Sequence, residues 1–247
     1  MMSQPLLQTR GASKHFMGLK AVDDVSLAVH KGEVVSIIGP NGAGKTTYFN
    51  LLTGQLAPTL GEVNLRGRNI NALPPHERAK LGMGRTFQIV KPLIALSALE
   101  NVMVGAFLQY ARMSDARDHA MAVLSRVGLG AHAKRRAGDL TLSERRRLEV
   151  ARALALGPEL VLLDEVMAGL NQSETGRCID LLRSLHEEDG LTFLIIEHNL
   201  KVVRAFSERV IVLDRGRLIA EGTADDILSS PEVVKAYLGE GHQWIPS

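Results

Sequence analysis

A single cysteine, Cys178, stands among 247 residues. One thiol cannot close an internal disulfide, so a reducing compartment is expected. Cys178 falls in an amphipathic helical pattern, where it reads as a small buried apolar residue. Long apolar runs are missing as well. None approaches the roughly 18 residues that a spanning helix requires, and the first ten residues lack a basic segment followed by an apolar one. The chain is therefore expected to be soluble and cytoplasmic, with any membrane role supplied by a partner. Charge of one sign is also missing: 29 basic against 27 acidic residues leave +2. That balance makes no electrostatic case for nucleic acid. No internal repeat and no low-complexity tract is present. The length allows one large domain or two small ones around a real core.

What is present begins with Gly39-Pro40-Asn41-Gly42-Ala43-Gly44-Lys45-Thr46-Thr47. The stretch follows an apolar run at 34–38, read as a buried strand, and precedes 48–52, read as a helix. It meets every fixed position of G-x-x-x-x-G-K-[ST] at the strand-to-helix junction that this motif needs. Glycines let backbone N–H groups turn inward around an anion, and the helix N-terminus adds partial positive charge. Lys45 can reach the β- and γ-phosphates, and the Thr46 hydroxyl can take a place on Mg2+. The segment predicts binding of a nucleoside triphosphate.

Along the rest of the chain, residues 6–30 carry two short alternating stretches, read as paired edge strands. A short strand follows at 62–65, a short helix opens at Pro74-Pro75, and a strand is expected over 82–88. From about 93 to 157 the pattern is helical. Ser97-Ala98-Leu99-Glu100 and Thr141-Leu142-Ser143-Glu144 are capping boxes, and Gly128 and Gly157-Pro158 are stops. Residues 160–165 and 191–198 read as buried strands, with a long helix between them capped by Asn171 and Glu174. A hairpin crosses Asp214-Arg215-Gly216, and Ser230-Pro231-Glu232 opens a last helix. Continuous apolar strands alternating with helices predict an α/β fold with a mostly parallel sheet and an antiparallel β edge. The core spans about 1–88 and 158–247, with a helical subdomain inserted at about 89–157. Ligands in such sheets lie beyond the carboxyl ends of the strands, where Gly39, Asp164, Glu165 and His198 can converge.

Asp164 follows four apolar residues, and a carboxylate there can hold Mg2+ directly or through water. Glu165 can polarise an attacking water as general base. His198, at a strand end, can contact a γ-phosphate. Gln88 taken alone is an ordinary polar strand end.

Together these segments resemble an ATP-binding cassette, the ATPase subunit of ABC transporters, over essentially the whole chain. Residues 39–47 look like Walker A, Gln88 like the Q-loop glutamine, and 140–147 like the signature. Residues 160–165 look like Walker B, 168–171 like the D-loop, and His198 like the switch histidine. The resemblance implies ATP and Mg2+ as cofactors. It puts Thr46, Gln88 and Asp164 on the metal, Lys45, Gln88, Glu165 and His198 in catalysis, and Phe16 at the position that stacks on adenine, although that ring could equally be core. Stretches at 18–22, 84–88, 168–171, 197–200 and 231–239 are similar to importers of branched-chain or hydrophobic amino acids and related amides.

The same resemblance implies a head-to-tail pair of cassettes, each ATP sandwiched between one Walker A and the other subunit's Thr141 and Ser143. It also implies permease subunits, fed by a solute-binding protein, at the cytoplasmic face of the membrane. Lipid or lipopolysaccharide transport and a soluble, permease-free ATPase are the alternative roles. Three features depart from the family pattern. The signature, usually Leu-Ser-x-Gly-Gln, reads Leu140-Thr141-Leu142-Ser143-Glu144: Thr141 keeps a hydroxyl in place of serine, Ser143 stands where glycine lets backbone approach the γ-phosphate, and Glu144 replaces glutamine. Val166 stands where proline is usual, and Asn171 where aspartate is common. Glu144 brings a carboxylate toward phosphate unless its capping box turns it onto its own backbone. The altered signature predicts a non-identical partner cassette.

Overall fold

In a computed structural model the chain is described over residues 4–86, 92–230 and Val233. In chain order the elements are β1 (Leu7–Phe16), β2 (Leu19–Val29), β3 (Val34–Ile38), α1 (Lys45–Leu52), β4 (Leu60–Leu65), β5 (Arg68–Asn69), α2 (Pro75–Lys80) and β6 (Met83–Arg85). The helices α3 (Ala98–Ala106), α4 (Met113–Arg126) and α5 (Leu142–Leu154) follow. Then come β7 (Leu160–Asp164), α6 (Gln172–Asp189), β8 (Thr192–Ile196), α7 (Leu200–Phe206), β9 (Arg209–Asp214), β10 (Arg217–Gly222) and α8 (Ala224–Ser229). The chain divides into two compact units, residues 1–78 with 192–247 and residues 79–191.

The first unit holds an antiparallel sheet of order β2-β1-β4-β5 and the strands β10-β9-β3-β8. Strand β3 runs parallel to both β8 and β9, with Ile37 opposite Ile196 on one side and Ile211 on the other. All five residues of β3 and of β8 are buried. Such strands are covered on both faces and so read as near-continuous apolar runs rather than as alternation. Strands β1 and β2 join through Met17-Gly18, and β9 and β10 through Arg215-Gly216. All four turn residues have positive φ, as a two-residue hairpin whose twist matches its strands requires.

Behind α1 lies a buried cation that the sequence did not announce. Arg78 is 1% exposed. Its guanidinium donates to the carbonyls of Leu51 and Leu52, at 2.7 Å each, and to Ile70 and Leu73 at 2.7 and 2.9 Å. The last carbonyls of a helix have no partner within it. Arg78 satisfies those of α1 and ties them to the 70–73 turn. Burial pushes this guanidinium's pKa down to about 10.

The second unit pairs β6 parallel with β7 and carries α3 to α6. Both capping boxes read from sequence are present: Ser97 accepts from the Glu100 amide and Thr141 from the Glu144 amide, each reciprocated. Asn171 and Glu174 form a third at α6. Cys178 is buried on α6. The Walker B-like strand stops one residue earlier than read, because Glu165 turns out of it at φ 49°. Helices α7 and α8 were not read from sequence. Their signals were local, an Asn199 cap and a Thr223–Asp226 box, over segments too short to show periodicity. Gln88, Pro231 and Glu232 lie outside the described residues. No helix among the described residues is long and apolar enough to cross a membrane.

Candidate functional site

The phosphate-loop segment leaves β3 at Gly39 and enters α1 at Lys45. At Gly39 (φ 152°) a Cβ would sit 2.1 Å from the Leu213 carbonyl oxygen, and at Gly44 (φ 97°) 2.3 Å from that of Ala21. Only glycine permits both the backbone conformation and the close approach. Loop and hairpin are locked together. The Gly216 amide donates to the Ala43 carbonyl at 2.9 Å, and the Asp23 amide donates to the Gly216 carbonyl at 2.8 Å. Arg217 clasps Asp23 through Nε and Nη2 at 2.9 and 2.6 Å, which holds that carboxyl below its usual range.

Lys45 is 8% exposed, and its ammonium donates to the carbonyls of Gly39 at 2.6 Å and Pro40 at 3.0 Å. A cation held inside its own loop is already partly desolvated, at the helix start that its motif places against phosphate. Helix α1 starts at Gly44 without a side-chain cap, as α4 does at Arg112, whereas α3, α5, α6, α7 and α8 are each capped by a side chain. A helix start built this way offers its first N–H groups to an external anion. Thr46 and Thr47 fall in that first turn.

His198 stands in the same unit, just past β8. The Glu197 amide extends the ladder to the Ile37 carbonyl at 3.4 Å, and the Asn199 side chain accepts from the Lys201 amide to start α7. His198 is exposed between these two anchors, at the strand end matching that of Gly39. Phe16 is 41% exposed at the β1–β2 tip, with the Lys14 ammonium 5.3 Å from its ring centroid. It is a surface ring rather than a core one.

In the second unit Asp164 is 2% exposed at the end of β7. The Thr86 hydroxyl accepts from its amide at 3.2 Å, while the Thr86 amide donates to Leu162 at 2.9 Å. The Arg85 guanidinium reaches its Oδ2 at 3.2 Å. Burial pushes the Arg85 pKa down, against the pull of Asp164. Glu165 follows in the left-handed region, a conformation that costs a non-glycine residue about 1 kcal/mol and that clusters at functional sites. Sequence analysis placed Arg85 and Thr86 in the importer-like stretch 84–88 but gave neither a role, because their bonds to Asp164 arise only from the parallel pairing of β6 with β7.

The signature-like segment presents Thr141 and Leu142 exposed and Ser143 half-buried. Glu144 does turn onto its own backbone. It accepts from the Thr141 amide at 2.7 Å and is flanked by Arg135 at 3.2 Å and His132 at 3.4 Å. Burial alone would raise its pKa. The Thr141 bonds and the neighbouring Arg135 and His132 outweigh that and hold it below the usual range. The three arginines that follow hold backbone rather than form a basic patch. Arg145 donates to the Gly138 carbonyl, Arg146 to Ala168, and Arg147 to Val127 and Gly128.

A model of the ABC transporter family matches residues 22–168, more than half of the chain. A second model, of the branched-chain amino acid ATP-binding cassette transporter, matches residues 217–243. The chain is 42% identical to the high-affinity branched-chain amino acid transport ATP-binding protein LivG of Salmonella typhimurium, covering 97% of this chain and 100% of that one. Among solved structures it resembles the ADP conformation of MJ1267, an ATP-binding cassette of an ABC transporter. That match has a TM-score of 0.87 and 32% identity and covers 96% of this chain and 100% of the other. It also resembles the dimeric post-hydrolysis state of the cassette MJ0796 bound to ADP and Pi, with a TM-score of 0.80 and 30% identity, over 88% of this chain and 98% of that one. With the phosphate loop, the strand-end carboxylates and the fold in agreement, the chain belongs to the ABC transporter family, as one of its ATPase domains.

Proposed function

We propose that this chain is the ATP-hydrolysing subunit of an importer for branched-chain or other hydrophobic amino acids. The observation that carries ATP binding is the phosphate loop itself: a buried Lys45 ammonium held by loop carbonyls, beside a helix start that no side chain caps. The substrate class is supported by the LivG relative at full length and by the second family match at 217–243.

In this reading residues 39–47 grip the phosphates and Phe16 stacks on the adenine. The fit to Mg2+ rests on donor chemistry, since the Thr46 hydroxyl and the Asp164 carboxylate are hard oxygen ligands of the kind Mg2+ takes alongside phosphate. When bound, the ion neutralises charge developing on the phosphates. Glu165 accepts a proton from water as that water attacks the γ-phosphorus, the bond to the ADP oxygen breaks, and ADP leaves with the bonding pair. His198 contacts the γ-phosphate. Gln88 serves the metal and the coupling to the permease.

A second cassette, unlike this one, closes head to tail so that Thr141 and Ser143 complete its ATP site. The dimeric cassette neighbour supports pairing as such. Residues 89–157 act as the helical subdomain that meets the permease at the cytoplasmic face of the membrane, and a solute-binding protein feeds that permease.

The test is recovery of the tagged full-length chain from membranes of its host. Co-purification of a second cassette and a multispanning permease, with ATPase activity stimulated by a loaded solute-binding protein, is expected. A chain recovered only in the soluble fraction, active without membrane partners, would overturn the importer reading.

A further inference from the structure

The segment leading into Thr141 has no regular ladder to hold it. Residues 137–139 form a single 3-10 turn, and Leu140 and Thr141 are extended. Backbone bonds from the Ala137 amide to Leu96 and from the Gly138 amide to Ile94 anchor its start, and three charged side chains hold the stretch from Gly138 to Thr141. Arg145 takes the Gly138 carbonyl at 2.6 Å, Arg135 takes the Asp139 carbonyl at 2.5 Å, and Glu144 takes the Thr141 amide at 2.7 Å. Arg135 also joins the two ends of this arrangement. Its Nη2 is on Asp139, while its Nη1 contacts Glu144 Oε1 and His132 Nδ1, each at 3.2 Å. One guanidinium thus links Asp139, two residues before Thr141, to Glu144, the carboxylate member of the α5 capping box.

We infer that Arg135 is a positioning residue for ATP hydrolysis, fixing through Asp139 and Glu144 the backbone that presents Thr141 and Ser143 to the partner's nucleotide. The inference rests on the reading of 141–143 as the segment facing that nucleotide. Arg135 itself touches no substrate. A planar fork can hold a carbonyl and a carboxylate at once in fixed geometry. Glu144 supplies the charge that the neutral glutamine of the family pattern lacks, so the clamp belongs to the altered segment itself. Loosening it should leave each subunit's own phosphate loop unaffected and raise the ATP concentration needed to close the pair.

The experiment is a double-mutant cycle in the full-length chain with its partners: Arg135→Ala, Glu144→Gln, both together, and Arg135→Lys as the conservative variant. For Arg135→Ala the expected result is a KM for ATP raised about fivefold with kcat nearly unchanged, scaled to a partly exposed pair. ADP affinity, which reports the phosphate loop, should stay within twofold. The double variant should be no worse than either single one, since both break one clamp. Arg135→Lys should recover part of the loss. Additive effects, an unchanged KM, or a parallel loss of ADP affinity would overturn the inference. Thr141→Ala combined with Ser143→Ala separates the two levels. If that pair raises KM while Arg135→Ala does not, only the clamp falls. If that pair leaves KM unchanged, the underlying reading of the segment falls, and the clamp with it.

Discussion

The phosphate loop and the signature-like segment are both short connections entering a helix, and they are held in opposite ways. Residues 39–47 take their shape from backbone. Gly39 and Gly44 sit where a Cβ would strike a carbonyl at 2.1 and 2.3 Å, Lys45 folds onto its own loop, and α1 has no side-chain cap. Residues 138–144 take theirs largely from side chains, with Arg135, Arg145 and Glu144 each gripping a backbone group and Thr141 capping α5, beside a backbone bond from Gly138 to Ile94. On the proposed reading, a loop that surrounds phosphate keeps its N–H groups for the ligand and so cannot spend side chains on capping itself, while a segment that only presents two hydroxyls can be pinned by its neighbours. Backbone coding tolerates almost no substitution, whereas side-chain coding can drift by compensated changes.

The sharpest division is between binding and chemistry. Glu165→Gln should lower single-turnover hydrolysis roughly 10^2- to 10^4-fold, the usual share of a general base, while nucleotide titration shows ATP affinity unchanged. Wild-type turnover would remove Glu165 from that role. Next comes the glycine dependence of the phosphate loop. Gly39→Ala adds a Cβ against the Leu213 carbonyl and should cost about 3 kcal/mol of stability, read as a lowered Tm together with lost ATP binding. A variant with normal Tm would show that the loop yields where its backbone is drawn as rigid. Lys45→Ala removes a charge-assisted contact of about 1.5–3 kcal/mol, so ATP affinity should fall roughly 10- to 150-fold with the fold intact, as calorimetric titration would measure.

The smallest effect belongs to the side-chain-coded segment and appears only in acid. The Glu144 pKa is depressed in the folded chain, so its contribution is fully present above the ordinary carboxylate range and is lost as pH falls through the depressed value. Denaturation midpoints followed from pH 7 downward should decline slightly more for the wild type than for Glu144→Gln. Parallel curves would mean that the carboxylate is not what holds Thr141.

The phosphate loop was legible because its chemistry is contiguous. Nine successive residues carry the glycines, the lysine and the hydroxyls, and the strand before and the helix after are visible as apolar runs. Helix caps at Ser97, Thr141 and Asn171 were legible for the same reason, since donor and acceptor lie three residues apart. Walker B was legible up to Asp164, but a sequence does not show that Glu165 leaves the strand in a left-handed turn. Phe16 could have been core or surface by its residue type, and its place at a hairpin tip decides for surface.

The sequence by itself therefore determined the segment whose motif binds phosphate in such folds, which strands are buried, the caps of α3, α5 and α6, and the family. Tertiary structure alone decided the charged supports. Arg78 lies 26 residues beyond the last carbonyl of α1 that it satisfies, and Arg85 lies 79 residues before Asp164. Arg135 reaches both ends of a segment whose sequence suggested only a local cap. Local hydrogen bonding and periodicity depend on near neighbours in the chain and leave a pattern. A guanidinium reaches whatever carbonyl the packing brings within about 3 Å, and its partners leave no mark in the order of residues.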